Sequence, residues 1–224
     1  SLLWDELGVE PEDETIALYE QIAAQSQPVL VDGLSSMLAP LTSMPMRSTL
    51  PNPLTPFFGR DAEIARIVSR LESVRLVTIT GSGGVGKTRL ALAAAQRAIE
   101  TGAFSKKDIT FIALDALGHA DQVAGAVSRA LSVDETAAAT LTDAIAVRLG
   151  DQPHLLILDN FEHVLDAALW VDELLRATHA LRVLVTSREP LSLYGEYRYD
   201  VPQLDRADAT AVFVDRALAV SPNL

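Results

Sequence analysis

From residue 57 onward the chain alternates two kinds of hydrophobic pattern. Short, mostly apolar runs rich in β-branched residues fall at Leu76–Thr80, Ile109–Leu114, Leu155–Leu158, Val183–Thr186 and Arg198–Val201. Runs of this kind, flanked by turn residues, predict strands buried on both faces, as in a parallel sheet. Between them, apolar residues recur every three or four positions, the period of a helix with one buried face. The stripes are Ile64, Ile67, Val68 and Leu71; Val123, Val127, Ala130 and Leu131; Leu141, Ala144, Ile145 and Leu149; and Trp170, Val171, Leu174 and Leu175. A last stripe, Ala209, Val212, Phe213 and Ala217, lies in residues 208–219, and Asp61 stands where an N-cap belongs. Strands and helices in alternation, with connections long enough for right-handed crossovers, predict an α/β fold: a five-stranded parallel sheet between two layers of helices.

Upstream the pattern changes. Residues 1–26 carry one short helical stripe, Ile16, Tyr19 and Ile22 or Ala23, after Pro11 and a run of acids that suit a helix start. Residues 27–56 hold six of the eleven prolines and no sustained period, which reads as a linker. The expected organisation is thus a helical fragment at 1–26, a proline-rich linker at 27–56, and an α/β domain at 57–224.

Composition narrows the function classes. The net charge is −12, of which −7 sits in residues 1–22, so no basic field draws this segment to nucleic acid. The sequence has no cysteine, no run long enough to span a bilayer and four scattered histidines. Disulfide, thiolate-metal and histidine-zinc readings fall away, membrane attachment is not expected, and the cytoplasm is the expected compartment.

The chemistry concentrates at Gly81–Thr88, GSGGVGKT, which fits G-x-x-x-x-G-K-[ST] between a predicted strand and a predicted helix. Gly81, Gly83, Gly84 and Gly86 allow a backbone with positive φ, so that the loop, with Ser82 and Val85, turns its N–H groups onto phosphate oxygens. Lys87 supplies a charge for the β- and γ-phosphates, and the Thr88 hydroxyl a ligand for Mg²⁺. The helix from Thr88 to Ala98 adds its N-terminal dipole. The fold is therefore expected to be a P-loop NTPase. In such sheets ligands sit at the carboxyl ends of the strands. There the chain places Asp159, expected to orient Mg²⁺ or its water, and Arg188, whose planar fork suits a phosphate. Asn160 occupies the position where many hydrolysing proteins of this kind carry a second acid. Glu162 is the nearest substitute for that acid, and slow hydrolysis is expected. Arg60 and Arg89 flank the same segments.

Two resemblances follow. The segment LGVEP…ET…LYEQI resembles the closing helix of the bacterial transcriptional activator domain of SARP-type regulators. PLTPFFGRDAEI, VTITGSGGVGKTRLALAAA, LLILDNFEHV, VLVTSREPL and LDRADATAVFVDRA, in that order, resemble the NB-ARC-type STAND ATPases, whose relatives include apoptosome and plant disease-resistance proteins. The second resemblance implies that Phe57, Phe58, Gly59 and Arg60 lie against adenine and ribose and that Arg188 is the sensor arginine. It further implies ATP and ADP with Mg²⁺ as ligands, flanking regulatory domains and a nucleotide-dependent homo-oligomer as partners, and a lid and a DNA-binding domain outside this segment. The expected function is an ATP/ADP switch module of a transcriptional regulator. A scaffold that binds nucleotide without hydrolysing it, and a small-molecule kinase using the same loop, remain as alternatives.

Overall fold

A computed structural model describes residues 50–51, 57, 59–133, 138–204 and 206–220. The helical fragment expected at 1–26 lies outside the described residues, as does the linker apart from Leu50 and Pro51. The elements run α1 (Asp61–Ser73), β1 (Leu76–Thr80), α2 (Lys87–Glu100), β2 (Ile109–Ala113), α3 (Gln122–Leu131) and α4 (Leu141–Leu149). They continue with β3 (His154–Asp159), α5 (Ala168–Ala177), β4 (Leu181–Ser187), β5 (Glu196–Asp200) and α6 (Arg206–Val220).

All five strands are parallel, in the order β2-β3-β4-β1-β5. Alternation of side chains along each strand divides the apolar residues between two cores. On one face Leu76, Leu156, Leu158, Val183 and Val185 meet α3, α4 and α5 through Val123, Val127, Ile145 and Val171. On the other, Val77, Ile79, Leu155, Ile157 and Leu184 meet α1 and α2 through Ile67, Leu71, Leu90 and Ala94. Leu50 packs at the margin of this second core. The α/β, three-layer, five-stranded parallel expectation therefore holds.

Four details differ from the sequence reading. Asp61 is the first helical residue and Arg60 the N-cap, with no side-chain capping bond, so Asp61 acts on the dipole of the first turn. The last strand begins two residues earlier than its apolar content indicated, because Glu196 pairs with Leu76 in register with β1. The return from β4 to β5 has no helix. Pro190, with Ser192 at φ 59° and Gly195 at φ 80°, cannot sit in one, and residues 188–195 form a strap instead. Leu191 of the strap is buried in the first core. The backbone N–H groups of Leu191 and Ser192 donate to the two carboxylate oxygens of Glu196 at 2.8 and 2.9 Å. Finally, the stripe expected to face inward on α6 is split among the described side chains: Phe213 is 72% exposed and Ala209 is also exposed, whereas Val212 is half-buried with Asp208, Ala211 and Asp215.

Candidate functional site

The sheet order sets the site. With β4 beside β1 and β3 beside β4, the carboxyl ends of these three strands adjoin. The loops that leave them carry Gly81–Gly86, Asn160–His163 and Arg188.

β1 passes into the glycine loop, and α2 starts at Lys87 with Gly86 as its N-cap at φ 97°. That left-handed geometry is one that a side chain strains, and it lets the chain double back within a single residue. A Cβ placed on Gly84 or on Gly86 would meet nothing within 4 Å, so this stretch of the loop is open. Gly83, unlike Gly81, Gly84 and Gly86, keeps a negative φ. Nη2 of Arg188 lies 3.8 Å from where a Cβ on Gly83 would stand, an ordinary contact distance that brings the arginine alongside the loop. Lys87 is only 7% exposed, and its ammonium donates to the carbonyls of Gly81 (2.9 Å) and Ser82 (3.1 Å). A buried cation needs such acceptors. Here the loop's own carbonyls hold it at the rim of the opening.

Asp159 ends β3 and is 4% exposed. Its Oδ1 accepts the Thr186 hydroxyl at 2.5 Å, and the same hydroxyl oxygen accepts the Asn160 N–H at 3.0 Å. Thr186 thus fixes both the acid and the turn after it, a role that sequence reading missed. The only advance signal was its place at the end of β4. Asn160 sits at φ 61°, a conformation that asparagine tolerates better than most residues, which gives it a backbone reason to be there. Phe161 is fully buried and anchors the short turn Phe161–His163. Within that turn Glu162 accepts Nε of Arg188 at 3.1 Å. The hydroxyl of Thr88 and the carboxylate of Asp159 are hard oxygen donors, a set that fits Mg²⁺, which takes few protein ligands and keeps water or phosphate oxygens for the rest. No cluster of three or more metal-ligating His, Cys, Asp or Glu side chains exists among the described residues.

The segment before α1 reaches the same end of the sheet. Phe57 lies under the guanidinium of Arg89 in the first turn of α2, 5.2 Å from cation to ring centre. Arg60 is buried, donating to the Pro202 carbonyl at 2.8 Å and to Glu63 at 3.2 Å, so its charge is held within the protein. Gly59, at φ 58°, passes so close to Asp208 that a Cβ there would fall on the carboxylate. Phe58 lies outside the described residues. Phe57, Gly59 and Arg60 are thereby gathered against α2, the exit of β5 and α6. Sequence reading missed Asp200, which accepts the Thr80 hydroxyl just before the loop, and Asp208. Asp200 sits at a strand end, where a search could have found it.

Comparison with known proteins returns one family and several relatives. The family model "Novel STAND NTPase 1" matches residues 52–215. A Mycobacterium tuberculosis protein assigned by name to the HTH-type transcriptional regulators is 38% identical over 150 residues, covering 66% of this chain and 16% of its own length. Regulatory protein AfsR of Streptomyces coelicolor is 32% identical over 235 residues, covering 95% of this chain and 22% of its own. The chain therefore spans a small part of these relatives. Among solved structures, a Signal Transduction ATPase with Numerous Domains bearing a tetratricopeptide repeat sensor, from Pyrococcus horikoshii, aligns with a TM-score of 0.53. It is 18% identical, with 81% of this chain and 28% of that one covered, a likeness of fold.

Proposed function

The chain belongs to the novel STAND NTPase 1 family, and from that premise we propose that it is an adenine-nucleotide switch module of a multidomain regulator, binding ATP and ADP with Mg²⁺ and hydrolysing ATP slowly. The observation that carries the reading is the convergence, at the carboxyl ends of three adjacent strands, of an open glycine loop with a buried lysine, a buried acid and an arginine. In this reading the loop's N–H groups and Lys87 take the phosphates. Thr88 and Asp159 hold Mg²⁺, which would supply charge neutralisation of the phosphate oxygens when bound. Arg188 faces the γ-phosphate. Ser82 and Val85 complete the cradle, and Phe57, Phe58, Gly59, Arg60 and Arg89 border the base and ribose. The choice of adenine is supported by the word ATPase in the description of the Pyrococcus horikoshii protein and by the ordered NB-ARC-like motifs. The regulator context, a SARP-like architecture with flanking domains and nucleotide-dependent self-association, is supported by the names of the mycobacterial and streptomycete relatives.

Asn160 favours slow turnover. The position after the strand acid is held by an amide in a turn that selects for asparagine, so no second carboxylate stands there to polarise water. A scaffold that binds nucleotide and never hydrolyses it shares this feature, and single-turnover analysis of bound ATP separates the two. For the site itself, titration calorimetry should show Mg–ATP and ADP binding to the wild type and none to Lys87→Ala. Unchanged binding by that variant would exclude the loop as the site.

A further inference from the structure

We propose that Glu162 is a positioning residue that aims Arg188 across the mouth of the glycine loop, so that ATP, and not ADP, meets a prearranged cation. The proposal rests on the adenine-nucleotide reading above and specifies how that site distinguishes its two ligands.

Arg188 is long and 64% exposed, whereas the Glu162 side chain is 13% exposed: an anchored acceptor holds a solvated arm. Among the described residues the guanidinium is engaged only through Nε, at 3.1 Å to Oε1. The far end, at Nη2, reaches the neighbourhood of Gly83 in the loop. The guanidinium therefore reaches from the turn after β3 towards the phosphate loop, with Nη2 on the loop side. Oε2 of Glu162 is buried and has no hydrogen-bond partner among the described residues. The anchor itself is stiff, because Phe161 is fully buried and Asn160 is tied through its N–H to Thr186. Fixing a long arginine side chain costs rotamer freedom. Glu162 meets part of that cost before any ligand arrives. A carboxylate turned onto a guanidinium is also poorly placed to take a proton from water, so Glu162 acts through Arg188.

The test is calorimetry on the full 224-residue chain with Mg–ATP and with ADP, for the wild type, Glu162→Gln, Arg188→Gln and the double variant. Glu162→Gln should weaken ATP binding ~3–5-fold and leave ADP within about twofold, the scale of one partly exposed charge pair. The double variant should bind ATP no more weakly than Arg188→Gln alone. Glu162→Asp, which keeps the charge and shortens the reach, should fall between wild type and Glu162→Gln and serves if the latter is unstable. Equal losses for ATP and ADP, or additive losses in the double variant, overturn the positioning role. So does an unchanged ATP/ADP ratio, including the case where phosphate release alone is lost. If the wild type binds neither nucleotide, the site reading itself fails and this proposal with it.

Discussion

His154 shows how one residue's surroundings set a property of the whole protein. It opens β3, is buried, and shares a 2.9 Å hydrogen bond with the Thr110 hydroxyl of the neighbouring strand. Burial, aided by the charge of Arg148 and opposed by Asp108, lowers its pKa from 6.5 to about 4. The unfolded chain thus binds the proton more readily than the folded one. The stabilisation is complete above pH ~6.5 and is lost as the pH falls towards 4, a span worth about 3 kcal/mol. Urea midpoints measured from pH 7.5 to 4.5 should fall accordingly, and His154→Gln should flatten that part of the profile. An identical slope in the variant would assign the acid sensitivity elsewhere. At the sequence level His154 counted only as one of four scattered histidines. Its neighbour in space, Thr110, is 44 positions away in sequence, and such pairs are invisible to a linear reading.

At the scale of elements, legibility depended on how many constraints each segment carries. β1, β3 and β4 are buried throughout or nearly so, and the apolar runs located them to within two residues at either end. The glycine loop was legible because its residues serve local geometry as well as chemistry. α6 was not, because an apolar stripe shows that a helix has a favoured face without showing which face its neighbours will cover. Gly59 approaches at Asp208, and the Phe213 side remains outside. The strap from β4 to β5 was also missed. Its stability lies in Glu196, whose nearly buried carboxylate accepts two backbone N–H groups and Nε of Arg198 at 3.1 Å. Glu196→Gln keeps the shape and removes one acceptor, leaving an N–H of the strap unpaired at a cost of about 1–3 kcal/mol. We expect a lower denaturation midpoint together with faster proteolysis between Arg188 and Gly195. A midpoint shift without strap cleavage would show that Glu196 acts on the edge strand instead.

Across the molecule, the two hydrophobic cores are built on opposite faces of one sheet and share every strand that forms the site. A ligand in the glycine loop touches β1 and α2, on the side of the second core. The backbone ladder from β1 to β4 to β3 then ties it to the first. Trp170 lies against that first core and donates to the Thr142 hydroxyl at 3.2 Å, so its fluorescence reports on the first core. A ligand that binds only the folded state stabilises it by ~2.7 kcal/mol at a hundred times its Kd. For a chain of this size that corresponds to about 5–10 °C in Tm. In a Trp4→Phe background, saturating Mg–ATP should therefore raise the Trp170 transition and the far-UV circular dichroism transition by the same amount, with no shift in Lys87→Ala. If the dichroism transition moved while Trp170 stayed in place, the cores would be melting as separate units. The sheet would then be too weak a link to carry a nucleotide signal from one face to the other, and a switch would have to transmit through the loop side alone, by way of α2, Gly59 and α6.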